Sequence, residues 1–216
     1  DLKEFREQFL VTQEVAYLNH AATAPLANRT AEAMHDIVED LRKGDRSFEV
    51  RQNLTPDLRE AIRQLINARK PEEIAFTQNT AHALNIVAHS LPLKSGDNIV
   101  FTNMEYPANA YPWMNLGKKG VEARIVPHRE GGLYLSDLSE YVDDRTRVVA
   151  ASTVEFLTGF KNDVPAIGEF CRQRGITFVV DGIQSLGAAP LDAQACHIDV
   201  LAAGALKWMM GPAGIG

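Results

Sequence analysis

Cysteine is scarce in this chain, which contains only Cys171 and Cys196. Two cysteines cannot provide the disulfide framework on which small secreted domains depend. Cys171 falls in an amphipathic helical pattern and is expected to pack. Cys196 precedes His197, but no second pair of ligands stands at metal-binding spacing. We therefore expect no metal site and a reducing, cytoplasmic location.

Basic clusters and long apolar runs are also missing. The net charge is −6 and the isoelectric point is near 5.5. Phosphate backbones and anionic lipids are bound by clustered Lys and Arg, so neither nucleic acid nor a membrane is an expected partner. No apolar run approaches the roughly 20 residues of a membrane span, and the first residues do not form a signal-peptide pattern.

The chain can bury the core of one large domain or two small ones, since 45% of its 216 residues are hydrophobic. Residues 1–70 predict an N-terminal segment and two helices. The first helix covers residues 26–43, and the second begins with Thr55 as N-cap and Pro56 at the first helical position.

Residues 71–216 alternate between strand and helix patterns. This alternation predicts an α/β domain, with a mostly parallel sheet between two layers of helices. The expected strands are 74–77, 98–102, 123–127, 147–153, 176–181 and 198–207, and the expected helices are 80–91, 107–119, 135–141 and 164–174.

The last two predicted strands end in groups of opposite chemistry, Asp181 and Lys207. Ligands of parallel sheets bind outside the carboxyl ends of the strands, so both side chains should face one crevice. Lys207 lies between Leu206 and Trp208, and desolvation there favours the neutral amine that forms a Schiff base. An amine opposed by an acid is what pyridoxal 5′-phosphate chemistry requires. A salt-bridged or snorkelling lysine is the structural alternative.

Other polar residues at the same edge fit such a cofactor. Thr80 opens a helix after a polar turn, which predicts an anion site, although plain N-capping explains the pattern as well. Gln184 follows Asp181 by one short turn and could donate to a phenolic oxygen, or be a solvated loop residue. Tyr106 could stack on a flat ring, or be a half-buried loop aromatic. Residues 17–22 could line the mouth of the site.

These motifs resemble the class V aminotransferase family of fold-type I enzymes that depend on pyridoxal phosphate. This family includes cysteine desulfurases, selenocysteine lyases and proteins similar to isopenicillin N epimerase. The resemblance extends from Tyr17 to the last residue. It rests on Asp-Gly-x-Gln at residues 181–184 and Lys-Trp-x-x-Gly-Pro at residues 207–212.

The resemblance implies a role for each motif. Lys207 forms the Schiff base and moves the proton, and Asp181 pairs with the pyridine nitrogen. Gln184 contacts the phenolic oxygen, and Tyr106 stands where desulfurases carry a ring-stacking histidine. The remaining implied contacts are Thr80 and the Ala81 amide to the phosphate, and Asn19, His20 and Ala21 to the substrate.

Three further positions differ from cysteine desulfurases. Gly204 and Leu206 replace a serine and a histidine before the lysine, and Phe156 replaces an asparagine near the ring. These differences favour a branch of the family that is epimerase-like or unassigned over the cysteine desulfurases. The resemblance also implies a homodimer, and a large domain over residues 71–216 that stops before the small C-terminal domain.

The main functional prediction is an enzyme acting on the α-amino group of an amino acid. Transamination, racemisation and sulfur elimination use the same residues, so the reaction type stays open. A dinucleotide-binding oxidoreductase would need Gly-x-Gly-x-x-Gly after its first strand, and residues 77–80 contain no glycine. A non-catalytic relative that keeps the fold as a binding module is the third alternative.

Overall fold

The computed structural model describes residues 1–44 and 48–216, with the backbone alone for residues 48–53. In this part of the chain five parallel strands form one sheet. They are β1 (Asn98–Thr102), β2 (Glu122–Val126), β3 (Thr146–Ser152), β4 (Thr177–Asp181) and β5 (Val200–Ala202). Their order across the sheet is β2-β1-β3-β4-β5.

Helices cover both faces of the sheet, so the predicted three-layer αβα architecture is confirmed. Helices α4 and α5 pack on one face, and α6 and α7 pack on the other. The helices are α1 (Leu2–Glu7), α2 (Asn28–Arg42), α3 (Phe48–Ile66), α4 (Thr80–Ser90), α5 (Tyr111–Asn115), α6 (Leu135–Tyr141) and α7 (Val164–Arg174).

The central strand β3 shows why these runs form a buried parallel sheet. Val148 and Ala150 pack towards α4 and α5, whereas Val149 and Ala151 pack towards α6 and α7. A strand that is buried on both faces needs apolar residues at every position, and side chains that alternate between the faces fill both layers. Both cysteines are free and buried, and they pack in the same cluster as Val149.

The strand order defines where the chain can bind a ligand. From β1 the chain moves outwards to β2 and then returns to the opposite side of β1 to form β3. This reversal makes a switch point, and crevices at the carboxyl ends beside such a point are the usual ligand sites of open α/β sheets.

The second helix differs from its prediction. Helix α3 begins at Phe48, so Thr55 is not its N-cap and Pro56 lies inside it. Pro56 is exposed, and its missing N–H removes one hydrogen bond from the interior of α3. The predicted helix 26–43 is present as α2.

Three other predicted elements are shorter or absent. Residues 74–77 form no strand of the sheet, and Thr77 instead exchanges two backbone hydrogen bonds with Gly216, at 2.6 and 2.8 Å. Residues 107–119 are broken into 3-10 turns around the short α5. Strand β5 stops at Ala202, because Ala205 turns away and donates its N–H to the carbonyl of Ile215, at 3.0 Å.

No helix within the described residues has the length and apolar character needed to cross a bilayer.

Candidate functional site

The predicted site residues meet at the carboxyl edge of the sheet. Tyr106 follows β1, Asp181 ends β4 and Gln184 follows it, and Lys207 lies in the turn after β5. Thr80 begins α4, whose first turn reaches the same edge. Segments that are distant in the sequence thus supply one site, as the strand pattern predicts.

Asp181 is the buried acid of the site, with 2% of its surface exposed. One carboxylate oxygen accepts a hydrogen bond from the backbone N–H of Ile183, at 3.0 Å. Burial raises the pKa of Asp181 to about 6, against the lowering effects of that hydrogen bond and of the Lys207 charge. A cation placed at this carboxyl group would therefore favour its ionised form.

Lys207 is half-buried beside Asp181, in a tight turn. The N–H of Met210 donates to the Lys207 carbonyl at 2.9 Å, and Gly211 donates to Ala205 at 2.8 Å. Burial lowers the pKa of Lys207, and the negative charge of Asp181 opposes this effect. The lysine lies five residues beyond the end of β5, so the prediction that it ends the strand is wrong. Lys207 and Asp181 each influence the pKa of the other, and their pairing across one crevice stays a prediction.

The start of α4 has the features of an anion site. Asn79 caps the helix by accepting the N–H of His82 at 2.8 Å, and the first helical residues are Thr80 and Ala81. The Thr80 hydroxyl is buried, and it has no hydrogen-bond partner among the described residues. A buried hydroxyl without a partner is costly unless a ligand satisfies it.

Gly204 keeps the space beside this hydroxyl open. A Cβ at Gly204 would lie 3.2 Å from the Thr80 Oγ1 and 3.3 Å from Leu206. A phosphate group suits this place for three reasons: the hydroxyl has no partner, the helix start offers free amides, and Gly204 has no side chain. The residues present therefore fit pyridoxal phosphate.

The N-terminal segment closes one side of the site. The Gln184 side chain donates to the carbonyl of Ala21 at 3.2 Å, which uses one of its two N–H donors. The N–H of Ala24 donates to the carbonyl of Leu206 at 2.8 Å. His20 stacks on Trp208, whereas Asn19 is exposed.

Tyr106 packs against Phe156 instead of standing alone. Their ring centroids are 5.0 Å apart at 83°, an edge-to-face pair, and both rings are 40% exposed or more. The resemblance described above implies a histidine and an asparagine at these two positions. The two rings instead form an aromatic wall at the edge of the site.

Two buried acids beneath the site were not predicted from the sequence. Glu105 accepts hydrogen bonds from the Ser152 amide and hydroxyl, both at 2.6 Å, and from Asn109 at 2.8 Å. Glu155 is fully buried, and Asn162 donates to one of its oxygens at 2.7 Å. Their positions directly after β1 and β3, at the same sheet edge as Asp181, were the available signal.

Burial raises the pKa values of both acids. The pKa of Glu155 is about 7, with a smaller contribution from the charge of Asp181. The pKa of Glu105 is raised well above its usual value by burial and then by Glu155. Three neighbouring carboxyl groups thus share one region with little cationic charge.

The sequence model of the aminotransferase class V family matches residues 16–216. The chain belongs to this family. A probable cysteine desulfurase of Methanothermobacter thermautotrophicus is 31% identical over 99% of the chain, and a cysteine desulfurase of Salmonella dublin is 34% identical over 94%. The chain spans about half the length of these relatives, 55% and 52% respectively.

Solved structures of the family share this fold. The apo cysteine desulfurase of Thermococcus onnurineus superposes with a TM-score of 0.87 at 31% identity, and the match covers 99% of the chain and 55% of that structure. A mutant of C-DES that carries glycine covalently linked to its PLP cofactor has a TM-score of 0.89 at 27% identity. That match covers 98% of the chain and 58% of C-DES.

Proposed function

We propose that the chain is part of an enzyme that uses pyridoxal phosphate to act on the α-amino group of an amino acid. The observation that carries this proposal is the buried Asp181 at the carboxyl end of β4, with Lys207 in the turn that follows the neighbouring strand β5. The acid is buried, the amine is partly desolvated, and each affects the pKa of the other.

Six residues would hold the cofactor, and Lys207 is one of them. Thr80 and the Ala81 amide would bind the phosphate, Asp181 the ring nitrogen, and Tyr106 the ring face. When bound, the cofactor withdraws electrons from the Cα of the amino acid, so that bonds at this carbon break more readily. Gln184 keeps one N–H free for the phenolic oxygen.

Lys207 is the proposed catalytic residue. Its lowered pKa increases the neutral fraction of the amine, which can attack a carbonyl carbon and can accept a proton. Asp181 holds a compensating negative charge when a cation stands beside it. Asn19 and Ala21 would border the substrate.

Cysteine desulfuration or selenocysteine cleavage is the second candidate, because the relatives described above are cysteine desulfurases. Glycine at 204 and leucine at 206, with the Tyr106–Phe156 wall, favour a different amino acid. Turnover of cysteine compared with other amino acids by the full-length enzyme discriminates between the two. A non-catalytic binding module would bind the cofactor but exchange no α-proton.

Binding of pyridoxal phosphate to the full-length protein tests the proposal, and Thr80→Val sharpens the test. Valine keeps the shape of threonine but removes the hydroxyl, so we expect the dissociation constant to rise roughly tenfold to a hundredfold, as for a lost hydrogen bond to a charged group. Visible absorbance during titration with the cofactor measures it. Ser90, exposed at the other end of α4, provides the control, Ser90→Ala.

No visible band in the wild-type protein would contradict the proposed function as a whole. Equal affinities in wild type and Thr80→Val would contradict the proposed phosphate site.

We further propose that the full-length protein is a cytoplasmic homodimer and that residues 71–216 are its cofactor-binding domain. Helix α2 supports the dimer, because it exposes an apolar stripe at helical spacing. Between 39% and 56% of each side chain in the stripe is exposed: Met34, Ile37, Val38 and Leu41. Such faces are usually covered by another surface. We expect light scattering to give twice the chain mass, and Val38→Glu to lower it.

A further inference from the structure

A stacked aromatic pair joins the N-terminal segment to the turn that carries the lysine. The rings of His20 and Trp208 are 5.2 Å apart between centroids and are inclined by only 14°. Tyr17 also contacts the histidine, in an edge-to-face pair with ring centroids 5.4 Å apart and an interplanar angle of 73°. Trp208 follows Lys207 directly, so His20 contacts the immediate neighbour of the reactive amine.

Hydrogen bonds on both sides keep the segment in this position. Ala24 donates to the Leu206 carbonyl, and Gln184 donates to Ala21. The Tyr17 hydroxyl donates to the carbonyl of Thr23 at 2.5 Å, which folds the segment back on itself. His20 is therefore presented to Trp208 by a fixed backbone.

The backbone of Trp208 is fixed as well, but its ring has no polar anchor. A Cβ at Gly187, where φ is +100°, would lie 2.5 Å from the Trp208 carbonyl oxygen, so the two backbones are in close contact. The indole Nε1 is buried and has no hydrogen-bond partner in the described part of the chain. Since no polar contact fixes the indole there, its orientation depends on packing and on the stacked imidazole.

We propose that His20 is a positioning residue that acts through Trp208: the stacked imidazole holds the indole, and the indole holds the turn that directs Lys207 towards Asp181. This inference rests on the proposed function only for the role of Lys207. On this proposal His20 does not contact the substrate. Its role requires a flat ring and does not require a nitrogen donor.

Three substitutions separate these roles. His20→Phe keeps a flat ring, His20→Leu keeps apolar volume without a plane, and His20→Ala removes both. A histidine that contacts substrate through its nitrogens would lose its function in all three variants. A histidine that acts by stacking would retain it in His20→Phe alone.

The first measurement uses the cofactor-free full-length protein labelled with 5-fluorotryptophan. Substitution Trp208→Phe identifies the fluorine resonance of Trp208. We expect this resonance to move or broaden in His20→Leu and His20→Ala, because the ring current and the fixed orientation are lost. In His20→Phe it should remain narrow and close to its wild-type position.

The second measurement is the affinity for pyridoxal phosphate. We expect the dissociation constant to rise about threefold to tenfold in His20→Leu and His20→Ala, the range of an aromatic pair, and to stay within about twofold in His20→Phe. Equal loss in all three variants, or no change in any, overturns the proposal. The fluorine result does not depend on the cofactor, so failure of the proposed function would leave the stacking test intact.

Discussion

Substitution of Lys207 by alanine is expected to abolish the visible band of bound pyridoxal phosphate in the full-length protein and to lower turnover by at least about 10³-fold. The reason is that this amine is the proposed nucleophile of the site, and burial lowers its pKa. Exchange of the α-proton of an added amino acid for deuterium, followed by NMR, measures activity without prior choice of the reaction type.

Lys118→Ala is the matched control, because Lys118 is exposed in the 3-10 turn after α5. We expect wild-type absorbance and exchange from this variant. A Lys207→Ala protein that keeps both the band and the exchange would remove the proposed role of the lysine and, with it, the main argument for the enzyme.

Glu155 should make the cofactor-free protein less stable as the pH rises. Burial raises its pKa from 4.5 to about 7, so the folded state binds its proton more tightly than the unfolded state does. The stabilisation is fully present below pH 4.5 and is lost as the pH rises to about 7. A shift of this size corresponds to about 3 kcal/mol. Asp181, with a pKa of about 6, acts in the same direction.

Glu155→Gln isolates this effect. Glutamine keeps the acceptor for Asn162 but has no proton to lose. Between pH 4.5 and 7 we therefore expect the free energy of unfolding of the variant to fall by about 3 kcal/mol less than that of the wild-type protein. Urea denaturation of the cofactor-free full-length protein at several pH values measures this difference. Exposed Glu140→Gln should follow the wild-type curve, and parallel curves for Glu155→Gln and wild type would contradict the buried charge.

The strands at the centre of the sheet could be predicted from sequence, because local chemistry and tertiary structure agree there. β1, β3 and β4 are β-branched or apolar at almost every position, which only a sheet covered on both faces explains. Asp181 could be placed for the same reason, since it is the first polar residue after such a run. The neighbouring strands then determine what it faces.

Other features depend on contacts that no local pattern encodes. Pro56 follows Thr55, a sequence pattern typical of a helix start, but in the structure it lies inside α3. The predicted beginning of α3 is therefore wrong. The pattern predicts β5 as far as Lys207 because residues 203–206 are apolar or small, whereas Ala205 pairs with Ile215 in a turn. The stack of His20 on Trp208 joins residues 188 positions apart (208 − 20), a distance at which no periodicity is informative.

The link between Gln184 and Ala21 closes a loop of 163 residues. During synthesis the N-terminal segment leaves the ribosome long before the lysine turn does. The contacts between them, which form one side of the site, can therefore form only after residue 206 has been made. Contacts that span so much chain form slowly. On the proposed function, capture of pyridoxal phosphate should therefore be a late event in the biogenesis of the protein. Its visible absorbance would report that the N-terminal segment and the lysine turn have come together.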